Sequence, residues 1–574
     1  MLPRALTLSA LLALLLAIYL ALAPARLSCR CRSWEQCWPS LEAWSHLNAS
    51  LNSHLVDLRP IASVCHEPIL DQPACDIVRR MSNSGRWRTG QPGALINSFW
   101  ESGFGSNETC SLSSGQENLC HQGRIPLYAA VVESTQEVQT AVKFAREHNL
   151  RLVIRNTGHD GAGSSSGPDS FQIFTHRLSD ILYHENFRIT GSNTSVGPAV
   201  SIGAGVLFGD LYVHGGQKGF IVTGGDSATV GAAGGFTQGG GVPGFLGHTW
   251  GLAADNVLEF EIVTATGNLV IANAGQHPDL FWALRGGGGG TFGVAVRVTM
   301  RTYPDHPAVK STISITGDGQ SPSFWSEGIA GLLTVLQSLN RQGTAGVFRL
   351  WQTPAGLLGA STEVYFLNQT EVKDASSVIK STLGNASDIY IISSNALDTL
   401  SSDVEADAPT INELFGSTLV SNGLFQSESG PKLIAERMSQ IGLNDGEWIL
   451  TSNLGGQVND NKRANTPLHP AWQSSAQLVS LVVNVDTAPG ARDRAMRRLT
   501  NELMPRLYAL DPSQRVSYRN MGDPNEPHFK EVYWGATNYD RLVQIKRDWD
   551  PKDLFISRVG IGSERWDFEG FCKV

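Results

Sequence analysis

The chain has no block of clustered lysines and arginines, and no stretch in which basic and aromatic residues alternate. Its formal net charge at pH 7 is −9, so it lacks the positive surface that binds nucleic-acid backbones, and nucleic acid is not expected as a partner. Apolar residues make up 41% of the 574 residues, which indicates a folded protein long enough for two or more domains.

Several familiar motifs are also missing. No lysine follows a glycine loop in the Walker pattern, and "GAGVLFGD" at 203–210 does not have the spacing of a Rossmann fingerprint. Cys29 and Cys31 are too close in sequence for a typical zinc site, so we expect no metal. Beyond the N-terminus, no apolar run is long enough to span a membrane.

The first 25 residues contain a long apolar run of their own. They combine an early Arg4, an apolar run at 6–22 and the small-residue end "APA" at 23–25, which is the layout of a secretory signal peptide. A retained membrane anchor is the alternative, because the apolar run is long for a signal and short for a spanning helix. We therefore expect a secreted or secretory-lumen protein that contacts membrane only if this segment is retained.

All eight cysteines lie beyond residue 25, and an even number behind a signal peptide predicts disulfides in an oxidising compartment. Most are N-terminal and are expected to staple that segment. The sequence does not fix their pairing, but local loops Cys65–Cys75 and Cys110–Cys120 are predicted. The chain is also predicted to be a glycoprotein, with sequons at Asn48, Asn107, Asn193, Asn368 and Asn385.

Periodicity becomes clear from residue 125 onward. A strand at 125–132, a helix at 134–149 and a strand at 150–154 form a predicted β-α-β unit, and Ser134 with Glu137 has the spacing of a capping box. Two further strands are predicted at 257–265 and 268–274. After a change of composition near 304–307, helices and short strands alternate like a separate α+β unit, and a last helix covers 537–549.

Dense glycine loops are the most unusual feature among the 60 glycines. "RNTGHDGAGSSSG" at 155–167 directly follows the second strand of the β-α-β unit, and further loops lie at 224–247 and 286–290. Backbone N–H groups in such loops bind anions and suit a pyrophosphate. Tight turns between short strands are the alternative for any single loop.

Six motifs, taken in order, resemble the berberine bridge enzyme-like oxidases of the vanillyl-alcohol oxidase and p-cresol methylhydroxylase (PCMH) type. The likeness is strong over 120–305, clear over 515–565, weaker between them and loose before 120, and the fungal branch with its natural-product enzymes is most similar. The motifs are "RNTGHDGAGSSSG", "VSIGAGVLFGDLY", "TVGAAGGFTQGGG", "WGLAADNVLEFEIVTATG", "DLFWALRGGGGGTFGVAVRVT" and "NYDRLVQIKRDWDPKDLF".

The resemblance implies an α+β fold, in which a two-subdomain PCMH-type FAD-binding domain is combined with an α+β substrate domain that contains an antiparallel sheet. The implied divisions are a signal peptide at 1–25, a cysteine-containing segment at 26–119, the FAD-binding domain at 120–305, the substrate domain at 306–515, and a C-terminal segment at 516–574 that completes the flavin site.

The resemblance also implies FAD as the cofactor, with 155–160 as the pyrophosphate loop. His159 matches the histidine that the family bonds to the flavin 8α-methyl group. Ser227 stands where many relatives have a second flavin-bonded cysteine, so a single attachment is predicted. Val230 matches a position that controls oxygen access. The implied cofactor-binding residues are Arg155, Asn156, Thr157, Gly158, His159, Asp160, Ser227, Thr229, Val230, Gly231, Gly235, Gly240, Val263 and Asn538.

The family's catalytic stretch resembles "YRNMGDP" at 518–524, which makes Tyr518 and Asn520 the predicted catalytic residues. Met521 occupies the usual acid/base position, yet a thioether cannot take a proton. Tyr518 is the nearest ionisable group, although its ordinary pKa of about 10 would have to fall for base work. A base from the middle domain, or a reaction without a base, remains open.

Other polar and aromatic residues have plainer interpretations. His248, Asp255 and Asn256 are predicted to be structural, and Tyr539 is predicted to pack. Trp472 either lines the substrate pocket or belongs to the core.

The predicted function is a secreted FAD-linked oxidoreductase. It takes a hydride from a small organic molecule of natural-product type to flavin N5, with O2 as acceptor and H2O2 as product. One alternative is an FAD-dependent dehydrogenase or oxidative cyclase on the same scaffold. The other is a non-catalytic secreted FAD-binding glycoprotein, which the Met521 departure keeps open.

Overall fold

A computed structural model describes residues 29–103, 110–193, 195–316, 322–341, 345–352, 358–403, 407–461, 465–486 and 490–574. The predicted signal peptide at 1–25 and the sequon at Asn107 lie outside the described residues. Within these ranges, no helix has both the length and the apolar character needed to cross a membrane.

The first sheet contains the predicted β-α-β unit. Its strands are β1 (Leu55–Asp57), β2 (Tyr128–Val131), β3 (Leu152–Arg155) and β4 (Phe171–Phe174), in the order β1-β2-β4-β3. Strands β2 and β3 both pair with β4 in parallel, and β1 runs antiparallel to β2. The unit is therefore confirmed, but its two strands are not neighbours, because the fully buried β4 lies between them.

The crossover helix Thr135–Glu147 begins close to its predicted start. Ser134 accepts a hydrogen bond from the backbone N–H of Glu137 through its side chain, as a capping residue should. The Glu137 carboxylate accepts from the backbone N–H of Glu133 rather than that of Ser134. The predicted capping box is therefore only partly formed: the bond to the Ser134 side chain is present, but the Glu137 carboxylate does not bond to the Ser134 N–H.

The second sheet is antiparallel throughout. Its strands have the order β5-β6-β10-β8-β9, and a separate two-stranded pair joins β7 to β11. The two strands predicted at 257–265 and 268–274 are confirmed as β8 and β9, which pair as a hairpin that turns at Gly267 with φ of +78°. The strands are β5 (Ile181–His184), β6 (Ala199–Gly203), β7 (Phe220–Ile221), β8 (Val257–Val263), β9 (Leu269–Asn273), β10 (Val294–Arg301) and β11 (Tyr303–Pro304).

The third sheet has seven antiparallel strands in the order β15-β12-β14-β13-β17-β18-β16. It confirms the α+β class and the predicted antiparallel sheet in the middle of the chain. The exact domain boundaries stay predictions. The strands are β12 (Ala308–Thr316), β13 (Ala345–Gln352), β14 (Leu358–Leu367), β15 (Ile391–Leu397), β16 (Glu413–Ser421), β17 (Trp448–Asn453) and β18 (Ser475–Asn484).

Helices connect and cover these sheets, and most are short. The long helix Pro322–Arg341 contributes buried apolar residues to the large core that also contains β13 and β14. The other α-helices are Leu41–Ser50, Gln72–Met81, Gly85–Thr89, Phe208–Lys218, Gly235–Gln238, Gly247–Trp250, Ala253–Asn256, Pro278–Leu284, Val372–Leu383, Asn422–Phe425, Gly430–Ser439, Gly456–Asp460, Ala491–Arg498, Met504–Tyr508, Phe529–Tyr533 and Ala536–Trp549.

Disulfides tie the two ends of the described chain together. The local pairs Cys65–Cys75 and Cys110–Cys120 are confirmed, and Cys31 pairs with Cys37. Cys29 pairs with Cys572, 543 residues away. The cysteines therefore do more than staple the N-terminal segment, because one of them joins it to the C-terminal tail.

The C-terminal helix Ala536–Trp549 is anchored by a buried charge. Lys546 is 1% exposed, and its ammonium donates to the carbonyls of Thr291 and Phe555, each at 2.6 Å, and to the Asp550 carboxylate. Thr291 follows the five-glycine run, so Lys546 joins that run to the C-terminal tail.

Replacing Lys546 by methionine is expected to destabilise the fold by about 3–5 kcal/mol, because Asp550 is left as a buried carboxylate without its cation. The measurement is the free energy of unfolding from urea titration. Lys552→Met, at an exposed site six residues along, is the matched control and should change that free energy by less than about 0.5 kcal/mol. Equal losses in both variants would contradict the assignment.

Candidate functional site

A cavity of about 380 Å³ lies where the three large sheets meet. Its wall includes the residues after β3, Ala295 of β10, Phe415 of β16 and Leu450 of β17. The sequence-predicted site residues that line it are Asn156, Thr157, Gly158, His159, Asp160, Ser227, Val230, Gly231, Gly235, Tyr518, Asn520 and, at the acid/base position, Met521. The fold thus brings together most of the predicted site from distant parts of the chain.

The loop after β3 is shaped by its own side chains and by glycine. Asp160 accepts hydrogen bonds from the backbone N–H groups of Ala162 at 3.1 Å and Ser165 at 2.6 Å. Gly158 has φ of +87°, and a Cβ there would lie 2.9 Å from Cα of Leu95. Only glycine allows this close approach in this backbone conformation.

Trp100 supports the same loop from behind. It is fully buried, its indole N–H donates to the carbonyl of Gly161 at 3.2 Å, and a Cβ on Gly163 would lie 2.5 Å from its ring. Three guanidinium groups surround the indole, with ring-centroid distances of 5.3, 5.6 and 5.0 Å for Arg124, Arg492 and Arg558. Sequence reasoning missed Trp100, because it lies in the segment with little periodicity and outside any motif.

Arg155 does not reach the cavity, which corrects its assignment to the pyrophosphate loop. It is the last residue of β3, and its side chain is fully buried behind the loop. The guanidinium donates to the carbonyls of Gln91, Arg88 and Thr157. Burial lowers its pKa to about 9. Arg155 therefore braces the base of the loop instead of lining the site.

His159 faces the cavity as a neutral imidazole. Its Nε2 lies 2.7 Å from the hydroxyl oxygen of Thr229, which is itself fully buried. Burial lowers the pKa of His159 to about 4. The Ser227 hydroxyl lies 3.5 Å from that of Thr229. Thr229 does not line the cavity, but its hydroxyl orients the imidazole of His159, which does.

The cavity wall carries polar atoms that have no hydrogen-bond partner among the described residues. They are Asn156 Oδ1, Ser165 Oγ, Gln238 Oε1 and Arg519 Nε, all buried. A Cβ on Gly231 would lie 2.4 Å from Asn156 Oδ1, so the wall also depends on glycine. Buried polar groups normally have partners. These donors and acceptors, together with the glycine loop, fit a polar cofactor such as FAD.

Besides Arg155 and Thr229, three predicted cofactor-binding residues are not on the cavity wall. Gly240 packs towards Leu468, and Val263 is fully buried at the end of β8. The Asn538 amide donates to the carbonyls of Pro467 and Leu468, at 3.2 and 3.0 Å. Their assignments came from motif position, which does not fix the direction of a side chain.

Tyr518 is buried in a polar corner of the cavity. Its hydroxyl oxygen accepts from the backbone N–H of Val242 at 3.3 Å and from the Asn520 amide at 2.8 Å. Burial raises the pKa of Tyr518 to about 12, the opposite of what base work requires. Tyr518 is therefore suited to remain protonated and to donate a hydrogen bond into the site. Met521 accepts from the Ser480 hydroxyl at its sulfur, at 3.6 Å.

One carboxylate on the wall was missed by sequence reasoning. Asp226 lines the cavity directly before Ser227, and desolvation raises its pKa to about 6. The only available signal was its position inside the motif "GGDSATVG".

The residues for which a structural or packing role was predicted contact other parts of the protein. Trp472 is 3% exposed and packs edge-on against Tyr518, which favours the core alternative. Tyr539 donates to Glu564 at 2.6 Å. His248 contacts the carbonyl of Asn340, Asp255 accepts from the backbone N–H of Leu252, and Asn256 donates to the carbonyls of Trp250 and Leu252.

The glycosylation sites stay predictions. Asn193 and Asn368 are exposed, whereas Asn48 is half-buried and accepts from the backbone N–H of Leu55. The side chain of Asn385 lies outside what the structure describes. The expectation that no metal binds also stays a prediction.

Comparison with known proteins agrees with this site. Residues 126–273 match the family model for an FAD binding domain, and residues 517–562 match the model described as berberine and berberine like. The chain is 61% identical over 553 residues to the FAD-linked oxidoreductase asqF of Emericella nidulans, covering 96% of each chain. It is 49% identical over 554 residues to the FAD-linked oxidoreductase easE of Arthroderma otae, covering 94% of this chain and 90% of the relative.

Solved structures give the same result for the fold. The VAO-type flavoprotein MtVAO615 from Myceliophthora thermophila C1 superposes with a TM-score of 0.85 at 27% identity, covering 95% of this chain and all of that one. Berberine bridge enzyme from Eschscholzia californica superposes with a TM-score of 0.64 at 17% identity, covering 90% and 98% of the two chains.

Fold and site together define an FAD-binding oxidoreductase of mixed α and β structure. The chain belongs to the berberine bridge enzyme and vanillyl-alcohol oxidase family of FAD-linked oxidoreductases.

The contact between Gly163 and Trp100 predicts that alanine at Gly163 lowers flavin content, whereas alanine at Gly197 does not. Gly163→Ala should lower both stability and flavin content, because the new methyl group displaces the Trp100 ring that supports the loop. Gly197 has φ of +82° against +69° for Gly163, but no atom of a described residue lies within 4 Å of where its Cβ would be. Gly197→Ala should therefore cost only about 1–2 kcal/mol of backbone strain and leave the flavin-to-protein absorbance ratio unchanged. Equal flavin contents in the two variants would contradict this role for Trp100.

Proposed function

We propose that the protein is a secreted oxidase in which FAD is attached through His159 alone. The observation that supports this most directly is the neutral imidazole of His159 on the cavity wall, held at Nε2 by Thr229. When bound, FAD supplies a two-electron acceptor for substrate oxidation. Backbone N–H groups of the loop after β3 would hold its pyrophosphate.

The attachment follows from the chemistry of the side chains. In the tautomer in which Nε2–H donates to Thr229, Nδ1 carries the lone pair that can bond to the flavin 8α carbon. A protonated imidazole would have no such lone pair, and the low pKa of His159 avoids that state at neutral pH. Ser227 has no thiol, so a second thioether link to the flavin is excluded in this proposal.

A small organic molecule is the proposed substrate. Phe236, Val242, Phe415 and Leu450 give the cavity wall apolar surface, as a carbon-rich molecule requires. The natural-product type follows from the resemblance to the fungal branch. In this proposal Tyr518 donates a hydrogen bond to the substrate, and Asn520 holds the Tyr518 hydroxyl in place.

O2 is the proposed electron acceptor, with H2O2 as product. Val230 lines the cavity beside Ser227, and valine at this position resembles the oxygen-reactive members of the family. Residence in an oxidising compartment is supported by the four disulfides.

A dehydrogenase is the second candidate. One variant of berberine bridge enzyme is described as a reticuline dehydrogenase and has this fold, with a TM-score of 0.59 at 18% identity. Mixing photoreduced protein with aerated buffer separates the candidates, because rapid return of the oxidised flavin spectrum supports the oxidase and slow return supports the dehydrogenase. A broad screen in which no substrate bleaches the flavin would instead support a non-catalytic flavoprotein.

His159→Ala is expected to abolish covalent flavin. After acid precipitation, the wild-type pellet should retain flavin fluorescence on a denaturing gel, whereas the variant should release all of its flavin to the supernatant. The control is His46→Ala, at an exposed histidine of the N-terminal helix, which should retain the adduct. Flavin that still migrates with the His159→Ala polypeptide would refute the attachment.

A further inference from the structure

We propose that Asp226 is the base that takes a proton from the substrate, the role that Met521 cannot perform. This inference rests on the proposed function, because it assigns a residue to the same substrate oxidation. It also narrows the substrate class to molecules that contain an H–C–X–H unit, where X is oxygen or nitrogen.

The position of Asp226 supports this role. Its side chain is open to the cavity that it lines, although protein surrounds it, so a bound substrate can reach it. A Cβ on Gly244 would lie 2.1 Å from Asp226 Oδ1 and 2.4 Å from Oδ2, so the carboxylate lies directly against that glycine. The missing side chain at Gly244 provides the space for it.

Asp226 and Tyr518 border the same short segment of chain. Val242, two residues before Gly244, donates its N–H to the Tyr518 hydroxyl at 3.3 Å. Two residues of extended chain span about 7 Å at most. A small substrate can therefore reach both groups, with the tyrosine donating a hydrogen bond and the carboxylate accepting a proton.

Two cations and two other carboxylates surround Asp226, and they pair with one another rather than with Asp226. Arg349 of β13 pairs with Glu363 of β14 at 2.7 Å, and Lys310 of β12 contacts Asp403 at 2.9 Å and Glu363 at 3.5 Å. These two cations are thus matched by two carboxylates. Asp226 is a third carboxylate, and no hydrogen bond from a described residue supports it.

The electrostatic balance at Asp226 suits proton transfer near neutral pH. Desolvation and the carboxylates of Glu363 and Asp403 raise its pKa to about 6, while Arg349 and Lys310 oppose the rise. Tyr212 and Tyr365 also face this carboxylate, and both have pKa values raised above their ordinary value, mainly by burial. Asp226 is therefore mostly ionised at pH 7, yet basic enough to hold a transferred proton.

The proposed step conserves atoms and electrons. The X–H bond breaks and its proton passes to a carboxylate oxygen of Asp226, while the C–H bond breaks and its hydrogen leaves with the electron pair to oxidised FAD. A C=X double bond forms in the product. An alcohol therefore gives a carbonyl compound, and an amine gives an imine.

Asp226→Asn tests the assignment without a known substrate. In wild-type holoenzyme titrated from about pH 5 to about pH 8, we expect a change in the visible flavin spectrum with a midpoint near 6, because a nearby charge appears. The change should be absent in Asp226→Asn. It should persist in Asp523→Asn, whose carboxyl also has a pKa raised to about 6 by burial but does not line the cavity.

The same preparations separate the two possible failures. If no variant binds flavin, including wild type, the proposed function fails. If flavin content is normal and the spectral change is missing in wild type or persists in Asp226→Asn, only the assignment of Asp226 fails.

A kinetic test uses a panel of small primary and secondary alcohols and amines. With any member that bleaches wild-type flavin anaerobically, Asp226→Asn should slow the bleaching by about 10²- to 10⁴-fold, and Asp226→Glu should restore part of the rate. The wild-type rate should fall as pH drops below about 6, and that dependence should vanish in Asp226→Asn. An unchanged rate, or an unchanged pH profile in Asp226→Asn, would overturn the proposal.

Discussion

The contact between Trp100 and the loop after β3 is the constraint on which the site depends. The loop turns at Gly158 and Gly163, and the indole fills the space that a side chain at Gly163 would occupy. A glycine-rich loop is otherwise flexible, since glycine loses more conformational freedom on folding than any other residue. The Trp100 indole and the buried guanidinium of Arg155 offset that cost through hydrogen bonds to the carbonyls of Gly161 and Thr157.

Burial shifts the pKa values of His159, Tyr518 and Asp226 on the cavity wall. The same desolvation makes His159 neutral and keeps Tyr518 protonated, because in each case the charged form is the one that water would have stabilised. Asp226 is the informative exception, since nearby Arg349 and Lys310 limit its shift. Desolvation therefore leaves an uncharged imidazole, a protonated phenol and a carboxylate with a raised pKa on one cavity wall.

Local sequence patterns predicted the local structure well. The β-α-β unit and the strands β8 and β9 were predictable, because periodicity and turn residues depend on near neighbours in the chain. The antiparallel middle sheet was implied only by the family resemblance. The insertion of β4 between β2 and β3 was not, since a fully buried strand has no alternating pattern to mark its place. The Cys29–Cys572 pair was also out of reach, because pairing depends on where the chain ends meet.

The site was predictable as a set of segments but not as a set of side-chain directions. Motif order singled out His159, Val230 and Asn520, which line one cavity, but also Arg155 and Asn538, whose side chains do not line it. A pKa is even less visible in sequence, because it depends on burial and on charges from distant strands. Tyr518 was considered as a base for its residue type, and only its surroundings show that its pKa moves the wrong way.

Met521 therefore need not mean that proton transfer has been lost from this scaffold. Its sulfur accepts a hydrogen bond from Ser480 and adds apolar surface to the cavity, so the position now packs instead of titrating. Met521 brings no negative charge to the cavity, whereas Asp226 supplies a carboxylate elsewhere on its wall. Moving the base changes which atom of a bound substrate meets it, and hence which bond is oxidised.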